Sequence, residues 1–359
     1  VYLRRACELA ARGRGGTAPN PCVGAVIVRG TRTLGEGFHR AKGEPHAEVE
    51  AVRAAAAAGN DVRGATAYVS LEPCNHHGAT PPCSEALIAA GIARIVAGAL
   101  DPNPRTAGGG VARLRDAGIV VDVAHDALAA DLIEDFTVWV RAGRPYVRLK
   151  MASSLDGYAT PAPGPHRLTG PPAAAFVRDL RAGYDAVMVG AGTLRADDPL
   201  LTVRPPAARH RLFRRIVVCG AAPPGRDRRA FAPLDGYAPT LLLVPEAERA
   251  AYDALEGVAE IVLVQSDAAG RLDLGDALRA LHARGVASIL CEGGPRLAAS
   301  LLAAGLVDRL DWLVAPVLLA GPAALPALAP DAALRSRMHF ERVERLGDDL
   351  LVSGRPTEA

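Results

Sequence analysis

Pro45-His46-Ala47-Glu48-Val49, then Leu71-Glu72-Pro73-Cys74, then Thr80-Pro81-Pro82-Cys83 are the stretches that decide how the first half of this chain is read. Each falls at a junction between elements. His46-Ala47-Glu48 opens an Ala-rich run, 47–58, that reads as a helix. Cys74 follows a strand-type run, 65–71, and Cys83 stands nine positions later at the start of a second helical run, 82–90, closed by Gly91. One imidazole and two thiolates suit a tetrahedral zinc whose fourth position is open to water. The two thiolates neutralise the formal charge of the metal, and ligands at helix N-termini gain from the dipole, which favours the thiolate.

Zinc lowers the pKa of a bound water from ~15.7 to roughly 7. The hydroxide needs a proton carrier beside it, and Glu48 lies two residues from His46. His-x-Glu followed by Pro-Cys and a further Cys is the signature of zinc nucleobase deaminases. Taken singly, the pieces have plain structural readings. A His-x-Glu is common, and two cysteines can be an inert buried pair or a structural metal site. The combination, with Asn20 upstream in Pro19-Asn20-Pro21, favours a catalytic site.

Outward from this centre, 2–12 reads as a helix with Leu3, Cys7 and Ala10 on one face, and Thr17-Ala18-Pro19-Asn20-Pro21 breaks it. Run 22–28 reads as a strand, Arg29-Gly30-Thr31-Arg32 as a hairpin-like turn into a second strand ending near Phe38, 92–100 as a strand, 110–117 as a helix ended by Gly118, and 119–123 as a strand. Arg141-Ala142-Gly143-Arg144-Pro145 reads as a linker, which divides the chain into 1–144 and 145–359. After it the alternation resumes, with strands at 146–151, 186–189, 216–218, 240–244, 261–264, 288–291 and 310–314. Both halves are therefore expected to be α/β layer structures.

The chain's 359 residues fit two domains, and half of them are hydrophobic, enough for two cores. Lys+Arg is 41 and Asp+Glu is 39, a balance that opposes backbone binding of nucleic acid. Lys42 and Lys150 are the only lysines in an Arg-rich chain. Six scattered cysteines do not resemble a disulfide framework, no run is long and apolar enough to span a bilayer, and Val1-Tyr2-Leu3-Arg4-Arg5 has no signal-peptide shape. These features point to a cytoplasmic protein without membrane partners.

Residues 17–28, with Pro45–Val49, Leu71–Gly78, Thr80–Cys83 and Asp101-Pro102-Asn103-Pro104, resemble the bifunctional riboflavin-biosynthesis deaminase/reductase family. The nine-position cysteine spacing differs from the Cys-x-x-Cys of most cytidine and tRNA deaminases. Leu149–Gly157, Val189–Arg204 and Cys291-Glu292-Gly293-Gly294-Pro295 resemble that family's reductase half. The resemblance implies an N-terminal cytidine-deaminase-like three-layer domain and a C-terminal dihydrofolate-reductase-like domain. It implies zinc on His46, Cys74 and Cys83 with Glu48 as the catalytic acid–base, and NADPH against Ala152, Thr193, Asp197 and the turn Gly294, Pro295, Arg296 and Leu297. It places substrate at Asn20, Arg181, Leu201, Arg204 and Glu292. The substrate would be a small pyrimidine ribosyl-phosphate, deaminated and then reduced from ribosyl to ribityl, and the chain would form a dimer or tetramer through its reductase half.

Physically, Gly190 and Gly192 after a strand and Gly293-Gly294 before a helix let backbone amides approach an anion. No G-x-G-x-x-G fingerprint occurs in this half, so a Rossmann fold is not expected. For the reductive proton, Lys150, Asp156 and Glu292 are the polar candidates. The chain departs from the family at Pro165-His166-Arg167-Leu168-Thr169, at Cys219-Gly220, and at Ala79, where a cation is usual. If that cation meets the substrate phosphate, Lys42 or Arg105 would have to replace it. The departures leave open a relative acting on a different pyrimidine in secondary metabolism.

Overall fold

A computed structural model describes residues 1–77, 81–160, 167–204, 211–321, 324–329 and 336–358. The chain divides into two compact units, Val1–Arg144 and Pro145–Ala359.

The first unit contains α1 (Tyr2–Ala11), β1 (Gly24–Arg29), β2 (Arg32–Phe38), α2 (Ala47–Ala57), β3 (Thr66–Leu71), α3 (Cys83–Ala89), β4 (Arg94–Ala99), α4 (Gly109–Asp116), β5 (Val120–Val123), α5 (Ala127–Leu132) and α6 (Glu134–Ala142). Its sheet runs β2-β1-β3-β4-β5. The β1–β2 hairpin and the β1–β3 pair are antiparallel, and β3-β4-β5 is parallel. Strand alternation makes three layers. Ala25 and Ile27 of β1 point to α2, α3 and α4, in a core with Ala51, Ala55, Leu87 and Leu114. Val26 and Val28 point the other way, to Ala6 and Leu9 of α1. Ile27 is fully buried, so truncation to Ala would cost about 2–5 kcal/mol.

This layering sets the site. The N-termini of α2 and α3 carry His46 as N-cap and Cys83 as first residue, while Cys74 follows β3. The expected strands and helices of this half are present with ends shifted by one or two residues. Two helices were not foreseen. α5 is short and capped by Asp126, whose Oδ1 accepts from the Ala129 amide at 3.0 Å. α6 has no fully buried residue, although Phe136, Trp139 and Val140 recur at helical spacing. The expected linker correspondingly shortens, because α6 runs to Ala142 and ends on Gly143.

The second unit contains β6 (Tyr146–Ser154), β7 (Tyr158–Thr160), α7 (Pro171–Ala182), β8 (Ala186–Gly190), α8 (Ala191–Asp197), β9 (Arg214–Val218), β10 (Leu241–Pro245), β11 (Glu260–Val264), α9 (Leu274–Ala283), β12 (Ser288–Gly293), α10 (Pro295–Ala303), β13 (Arg309–Ala315), β14 (Leu325–Pro326), β15 (Ser336–Leu346) and β16 (Asp349–Glu358). The large sheet runs β11-β10-β9-β8-β12-β6-β13-β16-β15. It is parallel from β11 to β13 and closes with two antiparallel pairings. Both faces of the parallel part are covered, as such sheets require. Met188, Ile216 and Leu243 pack with α9 and α10, while Val187, Val217 and Leu242 pack with Leu194, Phe213 and Tyr252.

One buried ion pair ties β6 to β13. Arg148 Nε and one terminal nitrogen donate to Asp311 at 2.5 and 2.8 Å, and Ser353 Oγ of β16 donates to the same carboxylate at 2.6 Å. The β15–β16 hairpin was not foreseen. Arg337, Glu341, Arg342, Glu344 and Arg345 fill β15, which therefore lacks apolar alternation.

Candidate active sites

His46, Cys74 and Cys83 come together from three places in the first unit. Their ligand atoms lie within 4.8 Å of one another. His46 Nδ1 is 3.2 Å from Cys83 Sγ and 3.6 Å from Cys74 Sγ. A tetrahedron with Zn–S of about 2.3 Å and Zn–N of about 2.0–2.1 Å has edges of roughly 3.5 Å. The donor set and its spacing fit zinc.

The electrostatics suit a cation. The Cys74 thiol is held well below its ordinary pKa, first by its hydrogen bond with Cys83, then by His46 and the Cys83 amide. That amide donates to Cys74 Sγ at 3.3 Å. Cys83 is pushed upward, by its pairing with Cys74 and by burial. His46 is raised above the ordinary histidine value, chiefly by its hydrogen bond with Cys74.

Glu48 lies in the first turn of α2 and is 3% exposed. Its Oε2 is buried with no hydrogen-bond partner. Burial pushes its pKa up to about 7, with the charge of Cys74 adding to the effect. A carboxyl poised near neutral pH is what proton transfer requires. Asn20 reaches the centre through a residue that the sequence reading missed. Its Nδ2 is 3.4 Å from His39 Nε2, and the His39 ring packs edge-on against His46 with centroids 5.1 Å apart. His39 is buried, and its Nδ1 faces the Pro45 carbonyl at 3.2 Å. Nothing local in the sequence marks it, because it sits just past β2 and meets His46 only through the fold.

The other four cysteines form no disulfide and are buried in cores away from this trio. Cys7 and Cys22 pack with Ala10 and Leu132, Cys219 with Val217 and Tyr252, and Cys291 with Leu149 and Ile289.

In the second unit, the expected residues gather around the ends of β8 and β12. Thr193 Oγ1 donates to the Gly293 carbonyl at 3.3 Å. Gly293 and Gly294 have φ of 75° and 108°, and a Cβ on Gly294 would sit 2.7 Å from Thr193 Oγ1. Only glycine fits there, and it leads into the first turn of α10, formed by Pro295, Arg296 and Leu297. The Leu297 side chain is in the core, so only its backbone is available to a ligand. Ala152 is likewise packed, against Leu313 and Leu351, while Asp197 is exposed at the end of α8.

Arg181 and Glu292 are joined directly. Arg181 Nε donates to Glu292 Oε1 at 2.6 Å, and a terminal nitrogen donates to the Thr202 carbonyl at 2.5 Å. Leu201, next to Thr202, is buried and holds φ of 53°, a region that non-glycine residues rarely occupy. Arg204 is exposed at the end of this segment.

Of the departures, Ala79, Pro165 and His166 lie outside the described residues, whereas Arg167 is exposed. Cys219 is buried, its thiol pushed up to about 12 by burial, and the next carbonyl, of Gly220, accepts from the Tyr252 hydroxyl at 2.5 Å. No described helix is long and apolar enough to cross a membrane.

Comparison with known proteins agrees in both units. Residues 1–99 match the cytidine and deoxycytidylate deaminase zinc-binding region, and residues 145–352 match the RibD C-terminal domain. The riboflavin biosynthesis protein RibD of Escherichia coli K12 is 40% identical, with 97% of each chain covered. That of Aquifex aeolicus is 35% identical over 98% of this chain and 96% of its own. Among solved structures, Acinetobacter baumannii RibD superposes with a TM-score of 0.83 at 34% identity, covering 99% of this chain and 98% of its own. A diaminohydroxyphosphoribosylaminopyrimidine deaminase/5-amino-6-(5-phosphoribosylamino)uracil reductase from Thermotoga maritima gives 0.85 at 34% identity, with the same coverage. Both matches fall in order along one chain, and the chain belongs to the RibD family of riboflavin biosynthesis proteins.

Proposed function

We propose that the chain carries out two consecutive steps of riboflavin biosynthesis. Residues 1–144 deaminate a diaminopyrimidinone ribosylamine 5′-phosphate, and residues 145–359 reduce the product with NADPH. The observation that carries the first step is the buried Glu48 carboxyl, whose Oε2 has no hydrogen-bond partner, beside a trio of zinc-type ligands.

Zinc on His46, Cys74 and Cys83, when bound, makes a water nucleophilic near neutral pH. Glu48 takes a proton from that water and delivers it to the departing amine, so that a ring C–N bond is exchanged for C–O and ammonia leaves. Its burial excludes competing solvent. Asn20, held against His39, would orient the pyrimidine.

NADPH held in this unit would supply the hydride that reduces the ribose C1′, for which the ring C–O bond would have to open. Thr193, Asp197, the Ala152 backbone and the Gly294–Leu297 turn would hold it. Arg181, oriented by Glu292, would bind the ribosyl-phosphate together with Leu201 and Arg204. The ring oxygen needs a proton, and two of the three candidates are engaged. The Asp156 carboxylate accepts from Ser154 Oγ and from the amides of Leu319 and Ala320. Glu292 is paired with Arg181. Lys150 is half-buried and makes no hydrogen bond or ion pair among the described residues, which favours it as the donor.

The six cysteines, none of them in a disulfide, support a cytoplasmic location. The outer strand β15, with Phe340 and Val343 exposed, supports a homo-oligomer formed through the second unit. Incubating the full chain with the substrate and NADPH, and identifying the products by mass, tests the whole reading.

A further inference from the structure

Two of the three proposed zinc ligands have a helix to hold them. His46 caps α2 and Cys83 begins α3. Cys74 belongs to no helix or strand. Its position must come from contacts of the short segment Glu72-Pro73-Cys74, and those contacts converge on Glu72.

Glu72 is 5% exposed, and among the described residues no Lys, Arg or His pairs with it. Burying a carboxylate in this way is costly unless its oxygens are hydrogen-bonded. All of its bonding goes to backbone amides. Oε2 accepts from Asp101 N and Gly108 N, and Oε1 accepts from Val111 N, each at 3.0 Å. Gly108 and Val111 flank the start of α4, so the positive end of that helix faces the carboxylate. Asp101 begins the loop that leads there, and its own carboxylate closes the loop on Asn103 N at 2.9 Å and Thr106 Oγ1 at 2.6 Å.

The backbone is gripped at the same place. Glu72 N donates to the Ala99 carbonyl at 2.8 Å, and Ser84 N donates to the Cys74 carbonyl at 3.1 Å. Gly110 lies so close that a Cβ there would be 1.8 Å from the Pro73 carbonyl oxygen. An apolar residue could fill the volume of Glu72, but it could not gather three amides from two segments onto the residue two positions before a ligand.

We infer that Glu72 is a positioning residue for Cys74: by binding the Asp101–Gly108 loop and the start of α4, it fixes where the Cys74 thiolate meets the metal. The inference rests on the zinc reading of His46, Cys74 and Cys83. It sets the metal's affinity and geometry rather than moving any proton.

The test uses full-length protein: wild type, Glu72→Gln, Gly110→Ala, and Val26→Ala as a variant that loosens the packing on the opposite face of the sheet, against α1. Zinc dissociation constants are measured by chelator competition, and cobalt(II) spectra report thiolate geometry. Glu72→Gln places an amino group opposite an amide donor, and the lost charge-assisted bond predicts zinc affinity about tenfold weaker or worse. It also predicts a changed thiolate–cobalt band, with reductase activity retained. Gly110→Ala should act in the same direction by forcing α4 away from Pro73, and it carries the test if Glu72→Gln does not fold. Val26→Ala should lower the melting temperature and leave both metal readouts unchanged. Wild-type zinc affinity and cobalt spectrum in Glu72→Gln and Gly110→Ala would overturn the inference, whatever their stability. Absence of stoichiometric zinc in the wild type would instead overturn the zinc reading itself.

Discussion

His46 Nδ1 stands 3.2 Å from Cys83 Sγ although 37 positions separate the residues, and each owes its place to the start of a helix packed on the same face of one sheet. This pairing predicts metal content. Purified protein should hold one zinc per chain. Cys83→Ala should lose it, whereas Cys219→Ala and Cys291→Ala, both altered in cores of the other unit, should keep it. Elemental analysis decides the matter, and full zinc in Cys83→Ala would refute the ligand set.

The same contacts predict a pH dependence with a definite sign. In metal-free protein, His46 binds its proton more tightly than in the unfolded chain, mainly through Cys74. Its contribution to metal-free stability is present below a pH of about 6.5 and is lost as pH rises through the higher folded value. Zinc must displace that proton and the one on Cys83, so zinc stabilisation grows in the opposite direction. The difference in melting temperature between zinc-loaded and chelator-treated protein should widen steadily from pH 6 to 8. A constant difference would show that no ligand proton is released.

Much of this was readable in advance because it is local. The strand-to-helix junctions at His46 and Cys83 are signalled by Ala-rich and Pro-flanked runs, and the ligands sit where those runs begin. What depends on distant segments was not readable. His39 joins the site only because β2 ends beside His46, and Glu72 finds its amides 29 to 39 positions away. The β15–β16 hairpin and α6 were missed for another reason. Charged residues fill much of β15, and α6 buries no residue fully although Phe136, Trp139 and Val140 recur at helical spacing.

Gly294 gives a prediction for the second unit. Gly294→Ala places a Cβ 2.7 Å from Thr193 Oγ1 on a residue with φ of 108°. Strain of about 1–3 kcal/mol at the turn should weaken NADPH binding roughly tenfold or more. Deamination should be unaffected. Fluorescence titration with NADPH checks this, and unchanged affinity would place the cofactor elsewhere.

The two compact units predict separability. A fragment starting at Arg144 should fold, bind NADPH and reduce the deaminated substrate, since its core is its own. A soluble, folded fragment unable to bind NADPH would contradict the assignment of the reductase to 145–359.

The central claim is that one chain performs both steps and that Glu48 moves the proton in the first. Full-length wild type and Glu48→Gln are each incubated with the diaminopyrimidinone ribosylamine phosphate and NADPH, and products are identified by mass. Wild type should yield the deaminated ribityl compound. Glu48→Gln should keep its zinc, lose deamination by about 10²-fold or more, and still reduce substrate that has been deaminated beforehand. Near-normal deamination by Glu48→Gln, or a wild-type product lacking either change, would contradict the account.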